Sequence, residues 1–118
     1  MNWTFSVWLQ LLSFPVALTA GQILFKRSAQ QVDLSGAWML ALIRMPTMWA
    51  ALALYGVATL LWVRILTTVP LSRAYPFTAA AFVLVPAAGH LLFDEPINTR
   101  YVLGAVLIIA GVIVAARA

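Results

Sequence analysis

Four apolar stretches, residues 3–25, 46–68, 74–93 and 97–116, fill most of this 118-residue chain, and none of them contains a carboxylate. Each approaches the roughly 20 residues that a helix needs to cross the hydrocarbon of a bilayer. The three acids, Asp33, Asp94 and Glu95, fall between the stretches. The chain is 64% hydrophobic and 8% charged, where soluble domains run at about 45–50% and about 25%. A chain this short cannot hide so much apolar surface from water in a core of its own. Lipid is therefore the expected solvent. In lipid, a helix satisfies its own backbone donors and acceptors. The expectation is all-α: a polytopic membrane protein of four transmembrane helices, one domain over residues 1–118, packed as a dimer.

The first stretch has the length of a signal peptide but lacks its basic start, since Met1, Asn2 and Trp3 carry no side-chain charge. Trp3 and Trp8 suit an interfacial belt, so the stretch is read as a span. With no cysteine, there is no disulfide framework and no thiolate metal site. No metal or cofactor is expected. The net charge of +4 points to anionic lipid as the partner rather than nucleic acid.

Pro15 sits in the middle of span one, where proline removes a donor and favours a kink. Ser13, Thr19, Gly21 and Gln22 make this helix polar for one facing lipid. They either line an interior or act as helix-packing glue. Lys26 and Arg27 close the span. Residues 28–45 form the long connection, with a short interfacial helix expected around Trp38, Leu40, Leu42 and Ile43, capped by Asp33 or Ser35 and anchored by Trp38 and Arg44. Pro46 suits the first turn of span two. The links at 69–73 and 94–100 are short, so their flanking spans are antiparallel neighbours. Gly104 and Gly111, with Ala115 beyond, put small residues on one face of span four. A dimer contact there is preferred to packing within one chain. The side of the first and third connections carries Lys26, Arg27, Arg44 and Arg100. The other carries Arg73, Arg117 and Arg64, if Arg64 reaches outward. The long loop is expected in the cytoplasm, with dual topology as the alternative.

Arg64 lies inside the second stretch. Charge within a span marks function, but near an end a long side chain also snorkels to the headgroups, and both readings stand. Arg73 follows the turn, so the two arginines are expected to converge at one membrane face, with guanidinium forks suited to phosphate. Gln22 and Lys26 are four apart and share a helix face, where an amide and an ammonium can grip a sugar phosphate. His90 is a proton shuttle or a hydrogen-bonded packing residue. Glu95 is expected to pair with Lys26 or Arg100, or to cap span four. No nucleophile elbow, phosphate loop or metal-ligand cluster is present, and no enzymatic activity is expected.

Several elements in order resemble the four-span form of the drug/metabolite transporter superfamily: Gly21-Gln22 with Lys26, Trp62 and Leu66 before Val69-Pro70, Ala74-Tyr75-Pro76, Phe82-Val83, Glu95-Pro96, Arg100, and Gly104 with Ile108-Ile109 and Gly111. Two branches share them. Small multidrug resistance proteins carry an acid in span one, three positions before the glycine, where this chain has Leu18; their aromatic after the Ala-Tyr pair is replaced by Thr78. The small subunits of the aminoarabinose-phosphoundecaprenol flippase are closer, in Gly21-Gln22, Lys26, Val69-Pro70, Ala74-Tyr75-Pro76 and Glu95-Pro96, although Arg64 and Arg73 depart from the apolar residues expected there. This resemblance implies movement of a polyprenyl-phosphate sugar across the bacterial inner membrane by a homodimer or a heterodimer with a related subunit. Spans one to three would line the cavity. The site residues would be Gln22, Lys26, Arg64, Arg73, Tyr75 and Glu95: phosphate near Lys26 and the arginines, sugar on Tyr75, and kinks at Pro15, Pro76 and Pro86 allowing alternation. The alternatives are a proton-coupled exporter of cationic compounds and a non-transporting accessory subunit of a membrane glycosyltransferase.

Overall fold

The computed structural model describes residues 3–117; Met1, Asn2 and Ala118 of the expected domain lie outside the described residues. Six α-helices follow in order, with a 3-10 segment between the fourth and fifth: α1 Phe5–Gln30, α2 Trp38–Arg44, α3 Pro46–Leu66, α4 Leu71–Ala74, the 3-10 segment Tyr75–Ala80, α5 Ala81–Phe93 and α6 Thr99–Ala116. The described residues contain no strand. Four segments are long and apolar enough to span a membrane: Phe5–Gln30, Pro46–Leu66, Leu71–Phe93 and Thr99–Ala116. The protein is a multi-pass, all-helical membrane protein.

Each helix starts and stops for a local reason. The Thr4 hydroxyl accepts from the Val7 N–H and caps α1. Pro46 opens α3, where its missing N–H costs nothing. Asn98 Oδ1 accepts from the Tyr101 N–H at 2.8 Å and caps α6, so Glu95 does not serve as that cap. The short helix expected in the long connection forms, but without its expected cap: α2 begins after Ala37 with no side-chain cap bond. The Asp33 carboxylate instead accepts from the backbone and hydroxyl of Ser35, closing a local turn. Those bonds, the hydroxyl's first, hold the Asp33 carboxyl below its ordinary value.

Two boundaries differ from the sequence expectation. α1 runs beyond Lys26 and Arg27 to Gln30, because Ser28 is buried and its hydroxyl is bonded to that of Thr47 at 2.7 Å. Span three is not one regular helix from Ala74. It is already helical at Leu71, tightens into 3-10 turns over Tyr75–Ala80, and resumes at Ala81. Pro76 has no N–H for an α-helical bond, and the Thr78 hydroxyl donates to the Tyr75 carbonyl at 2.7 Å within this segment.

The best-packed unit is the antiparallel pair α1 and α3. Ser28 meets Thr47, Gly21 meets Tyr55, and Phe14 stacks on Trp62 with centroids 4.8 Å apart. Each step of seven residues down α1 is answered by seven or eight up α3, about two turns on either helix. A Cβ on Gly21 would lie 2.3 Å from the Tyr55 ring, so only glycine allows this approach. Leu11, Phe14, Ala58, Ile65, Val69 and Ala74 form the buried core. Trp3, Trp8 and Phe77 form an aromatic cluster at the same end, with centroids 5.1–5.8 Å apart. α6 buries no residue. Such extensive apolar exposure suits lipid, where helix association rests on close packing rather than on escape from water.

Candidate functional site

Thr19, Gln22, Lys26 and Glu95 meet in a cleft between α1 and α5, near the end of the bundle that carries α2. From α1 come Gln22 and Lys26, one turn apart, and both line a cavity of about 180 Å³ with Thr19, Val85, Gly89 and Glu95 among its walls. Gln22 also faces an adjoining cavity of about 300 Å³, walled by Leu18, Tyr55, Phe82, Pro86 and Tyr101. A third, of about 440 Å³, reaches from Glu95 and Pro96 to Ile97 and Tyr101. Shared walls at Gln22, Val85, Glu95 and Tyr101 place these cavities side by side as one polar recess.

Helix geometry and one backbone corner put the charges there. Lys26 Nζ lies 3.4 Å from Glu95 Oε2, with the side chains 45% and 49% exposed. Of the two partners expected for Glu95, Lys26 is the one it meets. Glu95 reaches back because Asp94 ends α5 in the left-handed conformation, φ 52°. The N–H groups of Asp94 and Glu95 both donate to the Gly89 carbonyl, a C-terminal reversal of the Schellman kind. His90 fixes the corner, its Nδ1 donating to the Glu95 carbonyl at 2.9 Å. This is the kind of bond expected of the packing reading, and His90 is not among the residues that wall the cleft. Gly89 is the floor under the carboxylate: a Cβ there would sit 2.2 Å from Glu95 Oε1. Gln22 Nε2 donates to the Tyr55 hydroxyl, whose ring packs on Phe25 at 5.1 Å. Arg27 lies over the Phe93 ring at 5.7 Å, a second tie between the ends of α1 and α5.

The other candidates stand elsewhere. Arg64 is exposed in the last turn of α3, nine residues past Tyr55 and so roughly 13 Å farther along the axis, away from Lys26. Arg73 lies at that same far end and donates to the Ala116 carbonyl at 2.6 Å, at the C-terminus of α6. Tyr75 is exposed there and meets Trp62 edge-on, with centroids 6.2 Å apart. The structure thus unites Gln22, Lys26 and Glu95 and leaves Arg64, Arg73 and Tyr75 outside the cleft. Gly104 and Gly111 have no atom within 4 Å of a built Cβ. The cavity is not walled by spans one to three alone, because α6 contributes Tyr101.

Tyr55, Gly89 and Tyr101 were not picked out by sequence reasoning. A phenol in the middle of an otherwise apolar span was the available signal for Tyr55. Gly89 and Tyr101 gain their roles only once the chain doubles back at Asp94.

An acid–base pair, an amide and two phenols in an apolar wall offer partners for groups of both charges. Fold and cleft together define a small four-span membrane protein with a polar cleft among apolar helices. Among known proteins, the chain is 38% identical over 99 residues to a probable 4-amino-4-deoxy-L-arabinose-phosphoundecaprenol flippase subunit ArnE of Pseudomonas aeruginosa, covering 82% of this chain and 85% of that one. It is 33% identical over 105 residues to the protein of the same name from Pseudomonas savastanoi pv. phaseolicola, covering 89% and 92%. Over a shorter stretch of 59 residues, covering 50% and 55%, it is 44% identical to that of Erwinia tasmaniensis. The chain belongs to the ArnE family of flippase subunits. No family model matches it, and no solved structure does.

Proposed function

We propose that this chain is a subunit of a flippase that moves a polyprenyl-phosphate-linked amino sugar across the bacterial inner membrane. The observation that carries this reading is that the polar recess adjoins an apolar groove across shared walls. The groove lies between α5 and α6, about 420 Å³, walled by Phe82, Val83, Pro86, Tyr101, Val102 and Val106 among others. It shares Phe82, Pro86, Ile97 and Tyr101 with the recess. A headgroup enters the recess while its isoprenoid tail lies in the groove. The chain works by binding and moving its substrate, with no bond made or broken. The family names, which speak of a subunit, support assembly with a second four-span chain. The open Gly104 and Gly111 face of α6 suits that contact. With Lys26, Arg27, Arg44 and Arg100 toward the cytoplasm, the recess takes its headgroup from the inner leaflet. Pro15, Pro86 and the 3-10 segment at Pro76 supply the bends over which two arrangements exchange. The drug/proton exchanger alternative is not favoured, because Leu18 presents an apolar wall to the cleft where such a protein has its acid.

Reconstitution into proteoliposomes, alone and with a related four-span subunit, tests the reading. The expected result is translocation of an aminoarabinose phospholipid that depends on its headgroup. Failure to move it, together with exchange of a hydrophobic cation for protons, would replace this reading with the exporter.

A further inference from the structure

We propose that the Lys26–Glu95 pair is the element that recognises a zwitterionic headgroup: Lys26 takes the phosphate, and Glu95 takes the sugar ammonium. This rests on the function proposed above and assigns the two charges of that substrate to two side chains. A phospho-linked amino sugar carries one group of each sign, separated by a ring. The cleft presents one group of each sign, 3.4 Å apart and each about half exposed, beside a cavity of about 180 Å³ that both residues wall.

Several features separate this pair from a merely structural one. The separation of the pair is longer than a charge-assisted hydrogen bond. Among the described residues, Lys26 is the one hydrogen-bonding or ionic partner of the Glu95 carboxylate. The backbone corner at Asp94 presents the carboxylate and the missing Cβ of Gly89 leaves it room, so its place over the cleft is not set by Lys26 alone. The α1 and α5 ends remain joined through Arg27 and Phe93. A zwitterion replaces the internal pair with two pairs of the same kind, so no charge is left unmatched in an apolar wall. A purely anionic lipid leaves Glu95 without its cation, and it also repels it. A neutral sugar phosphate satisfies Lys26 and strands Glu95. Discrimination of this type comes from the unpaired group as much as from the paired one. Gln22, fixed by its bond to Tyr55, is free to offer its amide oxygen to the sugar.

The test is binding of two short-chain lipids to the full chain in nanodiscs, alone and with a related four-span subunit: 4-amino-4-deoxy-L-arabinose phospholipid and its N-acetylated form, which keeps the phosphate and loses the ammonium. The wild type is expected to prefer the free amine by about tenfold or more. Glu95→Gln is expected to bring the two within about twofold while still binding the acetylated lipid, and Lys26→Gln to weaken both. A charge swap, Lys26→Glu with Glu95→Lys, restores a structural ion pair. Recovery of stability without recovery of the preference supports recognition. If the wild type binds both lipids equally, or if the swap restores the preference, the charge assignment is overturned and the flippase reading stands. If the wild type binds neither lipid, alone or with the second subunit, the flippase reading itself falls.

Discussion

The two membrane ends of this small protein hold similar numbers of cations and use them in opposite ways. At the α2 end, Lys26 faces Glu95 across a cleft, and Arg27 stacks on Phe93. These groups join α1 to α5 around a recess. At the far end, Arg64 is exposed and Arg73 completes the carbonyl end of α6. The difference lies in what the neighbouring element offers. α5 ends in a left-handed corner that returns a carboxylate to the cleft, whereas α3 ends in a turn whose hydroxyls, Thr67 and Thr68, bond back to its own carbonyls. A charged residue in a span does not make a site by itself. It needs an element that brings a complementary group opposite it.

The largest expected effect breaks this contrast directly. Lys26→Ala should reduce headgroup-dependent flipping by about tenfold or more, since a charged hydrogen bond is worth about 1.5–3 kcal/mol. Arg64→Ala should stay within about twofold of wild type. Comparable losses for the two variants in proteoliposomes would erase the distinction between the ends.

The next effect is on the scaffold that holds the cleft. Gly21→Ala forces the Tyr55 ring away and should destabilise the chain by about 1–3 kcal/mol, as overpacking does. Gly104→Ala, with open space around it, should stay within about 0.5 kcal/mol for the isolated chain. Thermal unfolding of the two variants in the same detergent compares them.

A smaller effect belongs to the far end. Arg73→Ala removes the donor from the Ala116 carbonyl and a cation from a helix C-terminus, which costs about 0.3–1 kcal/mol. Faster amide exchange in the last turn of α6, with the cleft unchanged, is the expected signature.

The smallest concerns the loop. The Asp33 carboxyl titrates below its ordinary value of 3.8 because Ser35 bonds its ionised form. A depressed carboxyl contributes stability above its unfolded value and loses it as pH falls through the folded one. Ser35→Ala should therefore raise the Asp33 midpoint toward 3.8, read by NMR titration, without changing transport.

Much of the architecture was legible in the sequence because hydropathy, proline position and helix period are local. The four spans, Pro46 at a helix start, and Gln22 and Lys26 on one face all follow from residues within a turn or two of each other. The candidate site was legible only in part. Spans that alternate across a membrane already place Lys26 at one end and Arg64 and Arg73 at the other, so one phosphate cannot meet all three. Tyr55 was hidden because its partner, Gln22, is set by the register of α1 against α3. Gly89 was hidden because the left-handed residue that brings Glu95 over it is Asp94, not the glycine that usually marks such a corner. Asp33 and Ser35 had cap chemistry but spent it on each other.

The central claim is that the lipid headgroup sits at Lys26 and Glu95, not at the arginines. Mass spectrometry of lipid retained by gently purified wild type, Lys26→Ala and Arg64→Ala tests it most directly. The account predicts a polyprenyl-phosphate amino sugar on the wild type and on Arg64→Ala, and little or none on Lys26→Ala. Retention by Lys26→Ala with loss from Arg64→Ala would contradict it.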